Sequence, residues 1–146
     1  MSDDDDTFLA RFEATTWPLE EWHHKQHIKV AYLYLCRYPF ETAMNRIREK
    51  IKAFNGSKHL PDELTSGYHE TMTQAWLRLV HFTLCEYGPA ENAEAFYEAN
   101  PQLSQKKTLR FFYTRERFQT MEAKKGFIEP DLTALPRSQK TYRPNN

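Results

Sequence analysis

Four of the six histidines stand in two short strings, Trp22-His23-His24-Lys25-Gln26-His27 and Ser66-Gly67-Tyr68-His69-Glu70. Imidazole ligates metals and exchanges protons near neutral pH, so these strings are where chemistry would be built. An i, i+3 pair on a helix brings two side chains over one point, and a third imidazole from another helix completes a facial set. His24, His27 and His69 meet that requirement and are the candidate ligands of a divalent transition metal. Three nitrogens with an open position suit catalytic zinc, and an added carboxylate such as Glu70 also suits iron or manganese. In that scheme Glu70 accepts a proton as the catalytic carboxylate, Tyr68 touches substrate, and Arg115 or Arg117 holds an anionic group.

Each residue has a plainer reading. A histidine on an apolar face is commonly satisfied by a carbonyl, and a carboxylate in a first helical turn favours the helix dipole or caps the end. Trp22 and Tyr68 then only close the core over the imidazoles. Arg110, Arg115 and Arg117 would form salt bridges to Glu129 and Asp131, tying the C-terminal segment to the helices.

Helices must position these groups. With only four glycines, 14% aromatic residues and little strand-like alternation, the sequence predicts an all-α, single-domain bundle of about five to six helices with an extended C-terminal segment. The expected organisation is an acidic disordered tail over 1–6, one helical domain over 7–136 and a disordered basic tail over 137–146. Within it, helices are expected at 7–14 and from Pro18 through His24 and His27 to 37 or 38. A third runs from Pro39 to a left-handed ending at Asn55-Gly56, the clearest amphipathic stretch, with Phe40, Ala43, Met44, Ile47, Ile51 and Phe54 at helical spacing. Residues 56–67 form a loop leading to Tyr68-His69-Glu70, and a fourth helix ends at Gly88-Pro89. A shorter helix covers 89–100, another starts at Ser104 and carries Leu109, Phe112 and Tyr113, and a last turn at 120–125 is closed by Gly126.

At roughly 100° per residue, His27, Ile28, Ala31 and Leu35 all fall within about 60° of His24, so both imidazoles extend one apolar stripe. His23 lies off that stripe and faces solvent, while His69 lines up with Thr73, Trp76, Val80 and Tyr87. His81 belongs to a surface or interface, and His59 falls in the loop over 56–67.

Twenty basic residues balance twenty acidic ones, with an isoelectric point near 7.0, so no global field draws the chain to nucleic acid or to an anionic membrane. Cys36 and Cys85 lack metal or redox spacing and read as reduced core residues. The acidic start is the opposite of a signal peptide, and no apolar run spans a bilayer, so the expected location is the cytoplasm.

The strings Trp22-His23-His24-Lys25-Gln26-His27-Ile28, Ser66-Gly67-Tyr68-His69-Glu70-Thr71, Tyr113-Thr114-Arg115-Glu116-Arg117 and Phe127-Ile128-Glu129-Pro130-Asp131-Leu132 occur in that order. Together they resemble a family of small, mostly uncharacterised bacterial proteins carrying W-T-H-x-x-H-L, S-G-Y-H-E-T, an arginine segment and V-E-P-D-L, over roughly 12–136. The resemblance implies no established activity. It places the motif histidines on His24, His27 and His69, with Glu70 beside the last and His23 where threonine is usual. The loop Pro61-Asp62-Glu63-Leu64 and Thr114 depart from that pattern.

Three functions follow. The first is a metal-binding helical protein, a metal-dependent hydrolase or oxidoreductase acting on a small-molecule ligand. The alternative is a non-enzymatic small-molecule-binding or protein-interaction module with a buried histidine network. The third is a homodimer joined across its histidine-bearing faces.

Overall fold

The computed structural model describes residues 3–64 and 66–144; residues 1, 2, 145 and 146 of the expected tails lie outside them. The described residues form seven α-helices and no strand: α1 (Asp3–Glu13), α2 (His24–Arg37), α3 (Phe40–Ser57), α4 (Glu70–Tyr87), α5 (Ala93–Ala99), α6 (Arg115–Phe118) and α7 (Met121–Lys125). Three 3-10 turns, Leu19–Glu21, Pro101–Ser104 and Lys106–Phe111, join them. The all-α, single-domain expectation holds.

α2 is the central helix, packed against α3, α4 and α5. Its sequence explains this: Ile28 and every residue from Val30 to Leu35 are buried, so the helix is apolar on all sides and must be surrounded. Leu9 and Phe12 of α1, Met44, Ile47 and Phe54 of α3, Leu77, Val80 and Leu84 of α4 and Phe96 of α5 complete one core. Polar ties fix the layers: the Tyr34 hydroxyl donates to Glu13 at 2.5 Å, and Lys25 and Lys29 both reach Glu94.

Several boundaries differ from expectation. Asp3–Asp6 is no separate tail but the first turn of α1, where the carboxylates of Asp4–Asp6 favour the helix dipole; Asp5 is buried and accepts from the Ala93 N–H, and Asp6 pairs with Arg37 at 2.9 Å. α3 continues through Asn55-Gly56, because the Lys58 N–H closes on the carbonyls of Phe54 and Asn55, and the left-handed residue is His59 at φ 57°. Residues 89–92 stay outside α5, which starts at an Asn92 cap. The helix expected from Ser104 is the single 3-10 turn Lys106–Phe111, Ser104 being the end of the 3-10 turn before it, and α6 was not foreseen. Tyr87, at the last turn of α4, is 76% exposed rather than inward.

Beyond α7 the chain has no regular element, yet it is held. Tyr113 donates to the Ile128 carbonyl at 2.7 Å, the Leu132 N–H to the Phe112 carbonyl at 2.9 Å, and Ser138 to Glu86. Tyr142 packs on the core, so residues 137–144 are docked rather than free. Among the described residues no helix is long and apolar enough to cross a membrane.

Candidate functional site

The helix expected to run from Pro18 breaks at Trp22 and His23, both extended. His23 becomes the residue before α2, its N–H donating to the Gln26 side chain at 2.9 Å, and it is exposed as expected. The break lets Trp22 fold back onto α1 and α3, stacking on Phe12 with centroids 5.1 Å apart and meeting Phe54 at 5.0 Å. From there its indole Nε1–H donates to His27 Nε2 at 2.9 Å. Indole can only donate, so His27 Nε2 carries a lone pair and the ring hydrogen of the neutral form sits on Nδ1.

His24 is bound differently. Its Nε2 lies 2.7 Å from the Leu103 carbonyl, which only accepts, so Nε2 holds the hydrogen and Nδ1 the lone pair. Trp76 of α4 packs on the ring at 4.6 Å. His69 caps α4 instead of lying within it: Nδ1 accepts from the Met72 N–H at 2.9 Å, while Nε2 donates to the Phe118 carbonyl at 3.0 Å and the ring stacks on Phe118 at 4.7 Å.

These bonds decide how well the three imidazoles fit a metal. A ligand nitrogen needs a free lone pair. Both His69 nitrogens are taken by main chain, His27 Nε2 by Trp22, and only His24 Nδ1 has an unused lone pair. Among the described residues no three His, Cys, Asp or Glu side chains come together as a metal group. As hydrogen-bonded here, the three rings therefore do not offer three lone pairs to one metal.

The surrounding protein favours the neutral ring in all three by desolvating it. For His27, desolvation, then His24 and the Lys106 charge, push the pKa down to about 4. Desolvation lowers His24 and His69 as well, partly offset by the carbonyls of Leu103 and Phe118. His27 is nonetheless accessible to solvent, because its ring faces a cavity.

Glu70 lies in the first turn of α4, where a carboxylate favours the helix dipole, but it is not the cap. His69 supplies the cap, and the Glu70 carboxylate turns to α3. Arg48 grips it with two bonds of 2.8 and 2.6 Å, Tyr68 donates at 2.8 Å and Gln74 at 2.9 Å. Burial opposes ionisation, yet the bonds from Arg48, Gln74 and Tyr68 outweigh it and hold the pKa at about 2. All four acceptor positions are committed, so the group ties helices and does not accept protons near neutrality. Tyr68 is held in the same network, with Lys52 over its ring at 5.1 Å.

The loop before α4 is clamped by Lys124, a buried lysine of α7 that donates to the carbonyls of Ser66 and Tyr68 and pairs with Asp62 at 2.7 Å. Gly67 sits at φ +87° with its Cα against Pro61 and Asp62, where a Cβ would fall 2.9 to 3.0 Å from their atoms. Neither Arg48 nor Lys124 was anticipated. Arg48 had a signal, since it falls about 40° from Met44 at the margin of the α3 stripe, while the short α7 segment offered none.

The main concavity is a cavity of about 1060 Å³ bounded by α2, α3, α4, the loop before α4 and the 105–119 segment. His24, His27, His69, Trp22, Trp76 and Tyr68 line it, as does Arg115, which has no partner among the described residues. Leu19, Leu64, Met72 and Leu132, each at least 40% exposed, line it too. Arg117 does not; its Nε donates to the Glu129 carbonyl at 2.6 Å. The expected arginine salt bridges to Glu129 and Asp131 are absent among the described residues. Asp131 accepts instead from the Thr114 N–H and hydroxyl, because that hydroxyl must be oriented to cap α6. A smaller cleft of about 530 Å³, lined by Arg48, Lys52, Tyr68, Glu70 and Lys124, lies on the other side of Tyr68.

No family model, curated protein or solved structure matches this chain.

Proposed function

We propose that this protein is a helical small-molecule-binding module whose ligand occupies the histidine-lined cavity. The observation that supports this is the composition of the cavity wall. Four of the large apolar side chains that are exposed on this molecule converge there, beside two tryptophans and imidazoles favoured in their neutral form. Pockets of this kind, mostly apolar with a few placed polar groups, are how proteins hold small organic molecules, and the volume is at the upper end of the usual range of roughly 300–1,000 Å³. Exposed apolar side chains gathered in one concavity also favour occupation by something other than water.

The three tryptophans make the test local. Trp22 and Trp76 line the cavity and Trp17 does not. In a screen of hydrophobic and amphipathic metabolites, a true ligand shifts the indole N–H resonances of Trp22 and Trp76, leaves that of Trp17 in place, and raises the melting temperature. Equal movement of all three, or no shift with any compound, would refute the reading.

A further inference from the structure

The charged groups of the cavity are unbalanced. Lys106, Arg110, Arg115 and Lys124 line it, against a single carboxylate, Glu116. Lys124 is committed to Asp62, but Lys106, Arg110 and Arg115 form no ion pair among the described residues. Three cations without an ion pair, against one carboxylate, therefore line a largely apolar space. Lys106 also lies near enough to His24 and His27 for its charge to depress both imidazoles.

Hydrogen bonding points the same way. The Trp22 bond leaves the His27 Nδ1–H as a donor with no acceptor among the described residues, on a ring open to the cavity. Arg78 Nε is the only fully buried side-chain polar atom without a partner among the described residues, so the free Nδ1 of His24 is in contact with solvent rather than sealed. A donor and an ammonium group beside an apolar chamber match an oxyanion on a hydrophobic body. A cation would meet three like charges, and a neutral molecule would leave them unused.

We propose that the ligand is an amphipathic organic anion, with a carboxylate-like group received by Lys106 and the His27 Nδ1–H and an apolar body lying towards Trp22 and Trp76. This rests on the cavity reading above and adds the ligand class. Whether the body is aromatic or aliphatic is decided by paired probes.

The test measures affinity by calorimetry for 2-naphthoate, 2-naphthalenemethanol and 2-naphthylmethylamine, and for decanoate against decanol, on the intact chain. The expected result is that at least one acid binds about tenfold tighter than its alcohol, with the amine weakest. Lys106 is exposed, so Lys106→Met keeps the fold; it weakens the acid about tenfold and the alcohol less than about twofold. Arg115→Met, equally exposed, gives a smaller loss in the same direction. Equal binding of acid and alcohol, preference for the amine, or an acid affinity untouched by Lys106→Met overturns the anion inference while leaving the cavity reading standing. If no probe of either body binds or moves Trp22 and Trp76, the cavity reading falls and this one with it.

Discussion

At the scale of single residues, two positions carry more than their type suggests. Gly67 combines a left-handed backbone with contact distances that exclude a Cβ, so Gly67→Ala meets both conformational strain and collision with Pro61 and Asp62. The expected loss is about 2 kcal/mol of unfolding free energy in urea titration, whereas Gly56→Ala, inside α3 with nothing within 4 Å, moves the opposite way by about 0.5–1 kcal/mol. Glu70 is the second. Glu70→Gln removes the charge that Arg48 grips and costs about 2–3 kcal/mol, a figure lowered from that of a fully buried pair because the Arg48 side chain is 30% exposed. The carboxylate lines the smaller cleft and not the large cavity, so 2-naphthoate affinity changes less than about twofold in a variant that remains folded. A larger change in affinity would return Glu70 to the ligand site.

At the scale of elements, the start of α2 and the cap of α4 depend on neutral imidazoles. His69 caps α4 through an Nδ1 lone pair, and His27 accepts from Trp22 through Nε2; protonation abolishes either bond. The pKa values of His24, His27, His69 and His81 are all lowered on folding. Between their unfolded value of 6.5 and the folded value of about 4 for His27, the unfolded chain binds more protons, so stability falls as the pH is lowered through that window. Glu70 does not contribute there, because its stabilising shift is lost only below its unfolded value of 4.5. Allowing for solvent screening at the exposed His27, the expected decrease from pH 7 to pH 5 is on the order of 1–2 kcal/mol, seen as a calorimetric melting temperature several degrees lower. His69→Asn retains a capping acceptor and flattens the profile, whereas a profile unchanged in that variant removes His69 from the account.

At the scale of the molecule, the question is whether the three imidazoles hold a metal. The bonds that occupy lone pairs, from Trp22 to His27 and from the Met72 N–H to His69, must break before those two rings can offer a nitrogen each beside the free Nδ1 of His24, and α4 would lose its cap. Protein purified without a histidine tag and incubated with zinc, iron or manganese should retain less than about 0.2 equivalents after dialysis. A stoichiometric metal lost in His69→Ala would show that the helices rearrange on loading and would revive the metal-dependent reading.

The helical class, the positions of α3 and α4, the stop at Gly88-Pro89 and the inward stripe of α2 were legible in the sequence. They follow from local terms: hydrophobic period, proline and glycine backbone limits, and the arc that one helix presents. Direction along a helix also identified the face on which His24 and His27 lie, but not what each nitrogen meets there. The partners that set their tautomers are a tryptophan beyond the helix break and a carbonyl 79 residues away, and the cation that grips Glu70 comes from α3. Such pairings exist only once distant segments pack, so tertiary structure alone decided which nitrogen of each histidine is engaged and that the open space beside them is largely apolar with a cationic side.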